Sequence, residues 1–314
     1  MPLLTLKIDV DTYRGTREGV PNLLRLLQRH QAHATFLFSL GPDHTGWALR
    51  RAFRPGFFQK VSRTSVLEHY GLKTLMYGVL LPAPDIGKDC AADMRAAQDA
   101  GFECGIHTWD HVVWQDNVRQ RDAAWTEKLM QCAFDRFTDI FGRAPQTHGA
   151  AGWQMNEHAF RQLDQFQIAY ASDGRAMLAD AGQLANPVAA GPHRLSAGGK
   201  DLACIQLPTT LPTLDELLGR TIGGVVIDPS NIAATILRLT EIPRDHVFTL
   251  HAELEGQKLA PILEQLLIGW RAQGYVLASM ADLYQKIKND SLPVYPVSWA
   301  ELPGRSGELI VQPA

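Results

Sequence analysis

Short apolar runs alternate with longer amphipathic segments through most of this chain. The pattern predicts strands at residues 4–10, 35–40, 101–106, 168–171, 246–250 and 275–278. Between them it predicts helices at residues 20–30, 90–100, 123–141, 157–165, 231–239 and 259–273. Such alternation is typical of a mostly parallel sheet covered by helices. The sequence therefore predicts an α/β fold closed as an irregular (β/α) barrel.

The predicted barrel extends over residues 1–288, but two stretches interrupt its rhythm. Residues 41–87 and 174–202 are longer than an ordinary connection between a strand and a helix. We interpret 41–87 as a helical insertion. The tail, 289–314, contains four prolines and predicts an extended strap over the domain.

Charge and composition exclude several classes of function. The net charge of −3 and a pI of about 6.4 give no global basic field, so we expect no nucleic-acid partner. The four cysteines are scattered, which favours reduced thiols in a cytosolic protein. The first residues read as a strand rather than a secretion signal, and no apolar run reaches the ~20 residues that span a bilayer.

Two carboxylates follow the first predicted strand. Asp9 and Asp11 fall on the same side of the strand, because side chains alternate along it. Like charges held together repel unless a cation or a shared proton compensates. Taken alone, the pair is also consistent with an ordinary acidic turn.

The segment His107-Thr-Trp-Asp-His111 places two imidazoles four residues apart, which in a helical turn puts them on one face. With Asp11 they form the two-histidine, one-carboxylate set that leaves a metal position open for water. A divalent ion bound there, with Zn²⁺ as the first candidate, would lower the pKa of that water. Asp9 is placed to accept the proton of the water. We expect Asp11, His107 and His111 to be metal ligands.

A third histidine, His251, ends the strand predicted at 246–250. Amide hydrolysis requires an acid that protonates the leaving amine, and we assign this role to His251. Asp173 is predicted to orient its imidazole. All these candidates fall at or just past predicted strand ends, where the chemistry of α/β barrels is located.

On these motifs the chain resembles the NodB-type polysaccharide deacetylases of carbohydrate esterase family 4, from Asp9 to about residue 283. The resemblance implies an irregular (β/α) barrel with Asp9 as base, Asp11, His107 and His111 as metal ligands, and His251 as acid. The family's third motif, Arg-x-Pro-x-Gly, is not kept, because His148 stands in place of the arginine that usually contacts the base. Arg14 and Arg175 are the candidates to replace it.

The run from Ile8 to Pro21 is most similar to one branch of that family, the deacylases of amino sugars linked to undecaprenyl phosphate. This resemblance implies a role in lipid A modification and in resistance to cationic peptides, at the inner face of the cytoplasmic membrane. The residues that we expect to contact the substrate are Thr12, Tyr13, Arg14, Arg17, Trp153 and Glu253. A backbone N–H of Thr12 or Tyr13 is expected to stabilise the oxyanion.

The acyl group is a choice between formyl on aminoarabinose and acetyl on a hexosamine. Val112 and Val113 stand where the members of this branch that remove formyl tend to carry a further histidine. The segment Pro82-Ala-Pro-Asp85 also departs from the local sequence pattern of those members. Both features favour acetyl.

The insertion at 41–87 interleaves basic and aromatic residues. Its basic residues are Arg50, Arg51, Arg54, Lys60, Arg63 and Lys73, and its aromatic residues are Trp47, Phe53, Phe57, Phe58, Tyr70 and Tyr77. This composition suits docking on an anionic membrane surface. The alternative is a helical subdomain that packs on the barrel with solvated charges.

Two other functions were weighed. A catalytically silent carbohydrate- or lipid-binding protein would have no use for both a base and an acid, which the residues at Asp9 and His251 supply. A deacetylase of a soluble or cell-wall polysaccharide would be expected to carry a secretion signal.

Overall fold

The computed structural model describes residues 1–48, 71, 73–177, 190–305 and 307–313. Its strands, in chain order, are β1 (Leu3–Val10), β2 (Thr35–Ser39), β3 (Glu103–Thr108), β4 (Thr147–His148), β5 (Tyr170–Ala171), β6 (Arg175–Ala176), β7 (Arg194–Ala197), β8 (Lys200–Asp201), β9 (Ile205–Gln206), β10 (Thr221–Ile222), β11 (Val225–Val226), β12 (His246–His251), β13 (Val276–Ala278), β14 (Val294–Pro296), β15 (Ser298–Glu301) and β16 (Glu308–Gln312).

Helices fill most of the connections. The α-helices are Val20–Arg29, Ile86–Asp89, Ala91–Asp99, His111–Asn117, Ala123–Phe141, Glu157–Gln165, Leu214–Leu217, Ile232–Leu239, Ala260–Ala272 and Met280–Ile287. Short 3₁₀ turns lie at Thr74–Met76, Val118–Gln120 and Ala151–Trp153, and a turn of π-helix lies at Gly15–Gly19. These assignments confirm the predicted alternation of strands and helices.

The main sheet has the order β12-β1-β2-β3-β4-β5-β9, and β13 also pairs with β1. Every pairing within this sheet is parallel. The carboxyl ends of its strands therefore meet at one edge, as the α/β prediction requires. The register of β1 places Asp9 beside His251 of β12 on one side and Leu37 of β2 on the other.

Helix boundaries follow local capping signals. Helix Ala123–Phe141 begins where the side chain of Asp122 accepts the backbone N–H of Trp125, and it ends at Gly142, whose φ of 68° is left-handed. The side chain of Asn156 caps helix Glu157–Gln165 in the same way. Both helices have the bounds that the sequence predicts. The apolar face of the first helix packs with Cys104 and Ile106 of β3, the strand that carries His107, and that of the second packs with Ala171 of β5.

The barrel is irregular where β9 approaches β12. No regular ladder joins them within the described residues; instead Thr210 N donates to the carbonyl of Val247 at 2.9 Å, and Val247 N donates to Thr210 Oγ1 at 2.9 Å. The C-terminal tail covers this region, because β16 pairs with β6 and β15 pairs with β16. The tail predicted as an extended strap is extended here, but it is held by strand pairing.

The insertion predicted at 41–87 lies largely outside the described residues, since 49–70 and 72 are not among them. Of its basic residues only Lys73 is described. The described part contains Trp47, whose indole N–H donates to the Gly78 carbonyl at 2.7 Å, and the turn Thr74–Met76. Among the helices of the described ranges, none combines the length and the apolar character needed to cross a bilayer.

Candidate active site

Three charged side chains project from one side of β1 and its end. Lys7, Asp9 and Asp11 occupy alternate positions, and all three are buried. Lys7 Nζ lies 2.7 Å from Asp9 Oδ2. The predicted placement of both carboxylates on one side is confirmed, and a buried cation accompanies them.

Asp11, His107 and His111 form a cluster that fits one metal ion. His107 Nε2 lies 3.2 Å from Asp11 Oδ1, His111 Nε2 lies 3.4 Å from Asp11 Oδ2, and the three ligand atoms lie within 4.8 Å of one another. The two imidazoles come together for a different structural reason than the helical turn that the sequence predicted. His107 belongs to β3 and His111 begins helix His111–Asn117, so the imidazoles converge across a strand end rather than along one helical face.

Hydrogen bonding around the cluster also fits a metal. His107 Nδ1 donates to the Gly149 carbonyl at 2.6 Å, which turns Nε2 towards Asp11, as is usual for a metal-binding histidine. In the described residues His107 Nε2 and Asp11 Oδ1 are buried without a hydrogen-bond partner. Burial opposes ionisation of Asp11, yet the imidazoles of His111 and His107 hold its pKa well below the usual range. The carboxylate is therefore charged and ready to bind a cation.

Asp9 lies next to this cluster and is not one of its three side chains. Its Oδ1 lies 3.7 Å from His107 Nδ1 and has no hydrogen-bond partner among the described residues. Its Oδ2 accepts from Lys7. The cations proposed for this contact are elsewhere: Arg14 pairs with Glu18 at 2.9 Å, and Arg175 pairs with Glu216. Lys7 therefore makes the contact with Asp9 for which the sequence suggested an arginine.

His251 ends β12 directly beside Asp9. Its backbone N–H donates to Glu255 Oε2 at 2.8 Å, while its Nδ1 is buried and makes no hydrogen bond to a described residue. Burial raises the pKa of Glu255 to about 7, although the nearby His251 imidazole opposes the rise. His251 thus lies on the predicted rim. The carboxylate of Asp173, which was expected to orient it, is not its hydrogen-bond partner.

Asp173 contacts a different histidine. Its Oδ1 accepts from His148 Nδ1 at 2.6 Å and from the backbone N–H of Ala150 at 2.9 Å, and its Oδ2 accepts from Gln206 Nε2 at 3.1 Å. The expected pairing of Asp173 with His251 is therefore wrong for this structure. The physical reason is register: β4 and β5 are neighbours, whereas β12 lies across the barrel.

The expected oxyanion donors are already used. Thr12 N and Thr12 Oγ1 donate to Glu253 Oε1 at 2.9 and 2.8 Å, and Asp11 N donates to the same oxygen at 3.1 Å. Tyr13 N donates to Asp43 Oδ2 at 2.8 Å. Burial, with Asp11 nearby, raises the pKa of Glu253 well above its ordinary value. Glu253 and Thr12 thus shape the turn that carries Asp11, and the prediction of an oxyanion N–H at Thr12 or Tyr13 is not supported.

The other residues expected at the substrate divide by exposure. Trp153 is buried and lies beneath the cations of Lys7, Arg175 and Arg305. Arg14 and Arg17 keep 30% and 45% of their side chains exposed, so they are accessible to an anion. Tyr13 lies between them, with the Arg17 guanidinium 5.8 Å from its ring centroid.

Sequence reasoning missed Lys7 and the Gly149 carbonyl. A signal for Lys7 was present: a lysine within an otherwise apolar strand, at the same side as Asp9 and Asp11. Nothing in the sequence marks a backbone carbonyl as the partner of His107, because that contact depends on how β3 and β4 pair.

Comparisons with known proteins agree with this geometry. No protein-family model matches the chain. It is 34% identical over 304 residues, 97% of this chain and 92% of the relative, to the probable 4-deoxy-4-formamido-L-arabinose-phosphoundecaprenol deformylase ArnD of Shewanella sediminis. It is 29% identical over 300 residues, 95% of this chain and 98% of the relative, to the protein of the same name from Wigglesworthia glossinidia brevipalpis.

Solved structures show the same fold. The crystal structure of a putative polysaccharide deacetylase from Mycobacterium smegmatis superposes with a TM-score of 0.61 at 15% identity, and the match covers 96% of each chain. A probable polysaccharide deacetylase from Pseudomonas aeruginosa has a TM-score of 0.52 at 14% identity, over 88% of this chain and 76% of the other. The fold predicted from the sequence is confirmed. With its long match to the curated relatives, the chain belongs to the ArnD family and is an amide hydrolase with the polysaccharide deacetylase fold.

Proposed function

We propose that this protein is a metal-dependent N-deacylase of an amino sugar linked to undecaprenyl phosphate. The observation that carries the proposal is the cluster of Asp11, His107 and His111 with Asp9 and His251 beside it. A base and an acid flanking one cation site are what hydrolysis of an amide requires. The substrate class is supported by the names of the curated relatives.

Asp11, His107 and His111 would hold the divalent ion, with Zn²⁺ as the first candidate. Bound there, it would polarise the acyl carbonyl and acidify the attacking water. The fit rests on the two buried atoms, Asp11 Oδ1 and His107 Nε2, that lack hydrogen bonds to described residues.

The two flanking residues move the protons. Asp9 Oδ1 accepts a proton from the water as its oxygen bonds to the acyl carbon. His251 donates a proton to the sugar nitrogen as the C–N bond breaks, which leaves a free amine and a carboxylic acid. His251 is 9% exposed, so a substrate can reach it from the rim.

Arg14 and Arg17 are our candidates for the phosphate, since both guanidinium groups are partly exposed close to the turn that carries Asp11. The basic and aromatic residues of 41–87 are proposed to dock on the anionic inner face of the cytoplasmic membrane. The expected result is flotation with anionic vesicles and loss of flotation after charge reversal at Arg50, Arg51 and Arg54. Equal behaviour of both proteins, or no binding, would contradict docking.

Formyl is the acyl group in the names of both curated relatives. Acetyl, which the sequence favoured because Val112 and Val113 stand where the deformylases tend to carry a further histidine, is the other candidate. In the structure Val112 is buried and Val113 is half-buried. The two groups are best compared as formamido and acetamido sugars on one polyprenyl phosphate carrier.

The decisive experiment incubates the purified, metal-loaded protein with both compounds and follows the free amine by mass spectrometry. We expect turnover of one or both, and retention of Zn²⁺ with loss of turnover in Asp9→Asn. Turnover that persists unchanged in Asp9→Asn would overturn the assigned roles. If neither compound reacts, the proposed substrate class is wrong. A deletion strain would then identify the substrate as the compound that accumulates.

A further inference from the structure

Lys7 is a buried cation whose counter-ion is the proposed base. Its side chain is fully buried, and Nζ lies 2.7 Å from Asp9 Oδ2. Among the described residues, Asp9 is the ion-pair partner of Lys7. Burying an ammonium group is costly unless it is paired and hydrogen-bonded, so the position of Lys7 depends on Asp9.

The surroundings of Lys7 leave its side chain a narrow path. A Cβ placed on Gly149 would lie 2.8 Å from Lys7 Cε and 2.4 Å from Leu37 Cδ1, closer than real contacts allow. A side chain at position 149 would therefore require the ends of Lys7 and Leu37 to shift. The same Gly149 supplies the carbonyl that accepts from His107, so the lysine and the metal ligand are positioned by one residue.

An aromatic ring lies against the ammonium group. Lys7 Nζ is 5.3 Å from the ring centroid of Trp153, within the range of a cation–π contact. Trp153 adopts a left-handed φ of 53°, which is uncommon for a bulky residue. Its indole N–H donates to Thr209 Oγ1 at 3.3 Å, which in turn contacts Thr249 Oγ1 at 2.7 Å. The Trp153 ring is therefore anchored through Thr209 to Thr249 of β12.

We propose that Lys7 is the positioning residue for Asp9. By holding Oδ2, it directs the remaining oxygen, Oδ1, towards the reaction space beside His107. The polar contact of Lys7 is with Asp9 Oδ2, so we expect it to act through Asp9. This inference rests on the proposed function, in which Asp9 is the base.

The test compares Lys7→Met with a matched control, Arg305→Met. Arg305 lies over the same Trp153 ring, 4.8 Å from its centroid, but pairs with Glu216 and Asp215 instead of Asp9. Lys7→Met is expected to lower kcat by about 100-fold with KM changed by less than about threefold, as for a misplaced catalytic group. Arg305→Met should keep kcat. Zn²⁺ affinity measured by calorimetry should be the same in both variants and the wild type.

Non-additivity separates positioning from general damage. If Lys7 acts through Asp9, the double variant Lys7→Met/Asp9→Asn is no slower than Asp9→Asn. Should Lys7→Met fail to fold, Lys7→Gln replaces it in the same measurements. A kcat within about threefold of wild type, a lost Zn²⁺ affinity, or a double variant clearly worse than Asp9→Asn would overturn the inference.

A structural readout keeps this test separate from the proposed function. In a crystal structure of the variant, the separation of Asp9 Oδ1 and His107 Nδ1, 3.7 Å in the wild type, should increase while Asp11, His107 and His111 stay in place. An unmoved Asp9 carboxylate would contradict the inference whatever the substrate is. An inactive wild type with a displaced Asp9 in the variant would instead contradict only the proposed function.

Discussion

Two buried polar clusters lie side by side in this barrel and differ in how well their hydrogen bonds are satisfied. In the rim cluster, which we define as Asp9, Asp11, His107, His111 and His251, four buried atoms have no hydrogen-bond partner among the described residues: Asp9 Oδ1, Asp11 Oδ1, His107 Nε2 and His251 Nδ1. In the Asp173 network, formed by His148, Asp173 and Gln206, both carboxylate oxygens of Asp173 accept hydrogen bonds.

The difference distinguishes function from structure. Most buried polar atoms of folded proteins are hydrogen-bonded, so a group of unsatisfied atoms close together is typical of a binding or catalytic site. A satisfied network has nothing left to bind and serves to fix the backbone. The Asp173 network does so for Gly149, because it holds His148 and Ala150 on either side of the carbonyl that accepts from His107.

The largest expected effect comes from the rim cluster. Asp11→Ala removes the carboxylate that both imidazoles contact, so we expect Zn²⁺ affinity to fall by more than about 100-fold and turnover to fall by about 1000-fold or more. Calorimetry and the amine assay measure the two losses. His33→Ala, at an exposed ion pair far from the rim, is the control and should bind like the wild type. An Asp11→Ala protein that keeps full activity without metal would break the comparison.

The Asp173 network should respond in stability. Asp173→Ala leaves the polar groups of His148, Ala150 and Gln206 buried without their acceptor, and we expect a loss of about 3 kcal/mol in the free energy of unfolding. Urea denaturation of the metal-free protein measures it. Asp135→Ala, on an exposed helix face, should change stability by less than about 0.5 kcal/mol. If Asp173→Ala were as stable as the wild type, the network would not be structural.

A smaller effect is the pH dependence of the free energy of unfolding, which we assign to Glu255 beside His251. Burial raises the pKa of Glu255 in the folded protein to about 7, against an ordinary value of 4.5. The unfolded chain therefore loses this proton first, and stability should fall by about 2 kcal/mol as pH rises from about 5 to about 7. Glu255→Gln should remove this part of the pH dependence, while Glu157→Gln on an exposed helix should keep it. An unchanged slope in Glu255→Gln would contradict the assignment.

Much of this architecture could be predicted because its signals are local. Helices Ala123–Phe141 and Glu157–Gln165 have their predicted bounds, since Asp122, Asn156 and Gly142 cap them. The cluster of Asp11, His107 and His111 could also be predicted, because parallel strands bring their carboxyl ends to one edge whatever the details of packing. The insertion at 41–87 and its membrane role stay predictions.

The sequence by itself determined the α/β fold, the bounds of helices Ala123–Phe141 and Glu157–Gln165, and the gathering of Asp9, Asp11, His107, His111 and His251 at the rim, because periodicity, capping residues and strand ends are encoded by near neighbours. The tertiary structure alone decided the partners of those side chains. It paired Asp173 with His148 and the Thr12 N–H with Glu253. Contacts such as Asp173 with His148 join residues distant in sequence, and they depend on strand register and on which side chains share the barrel interior.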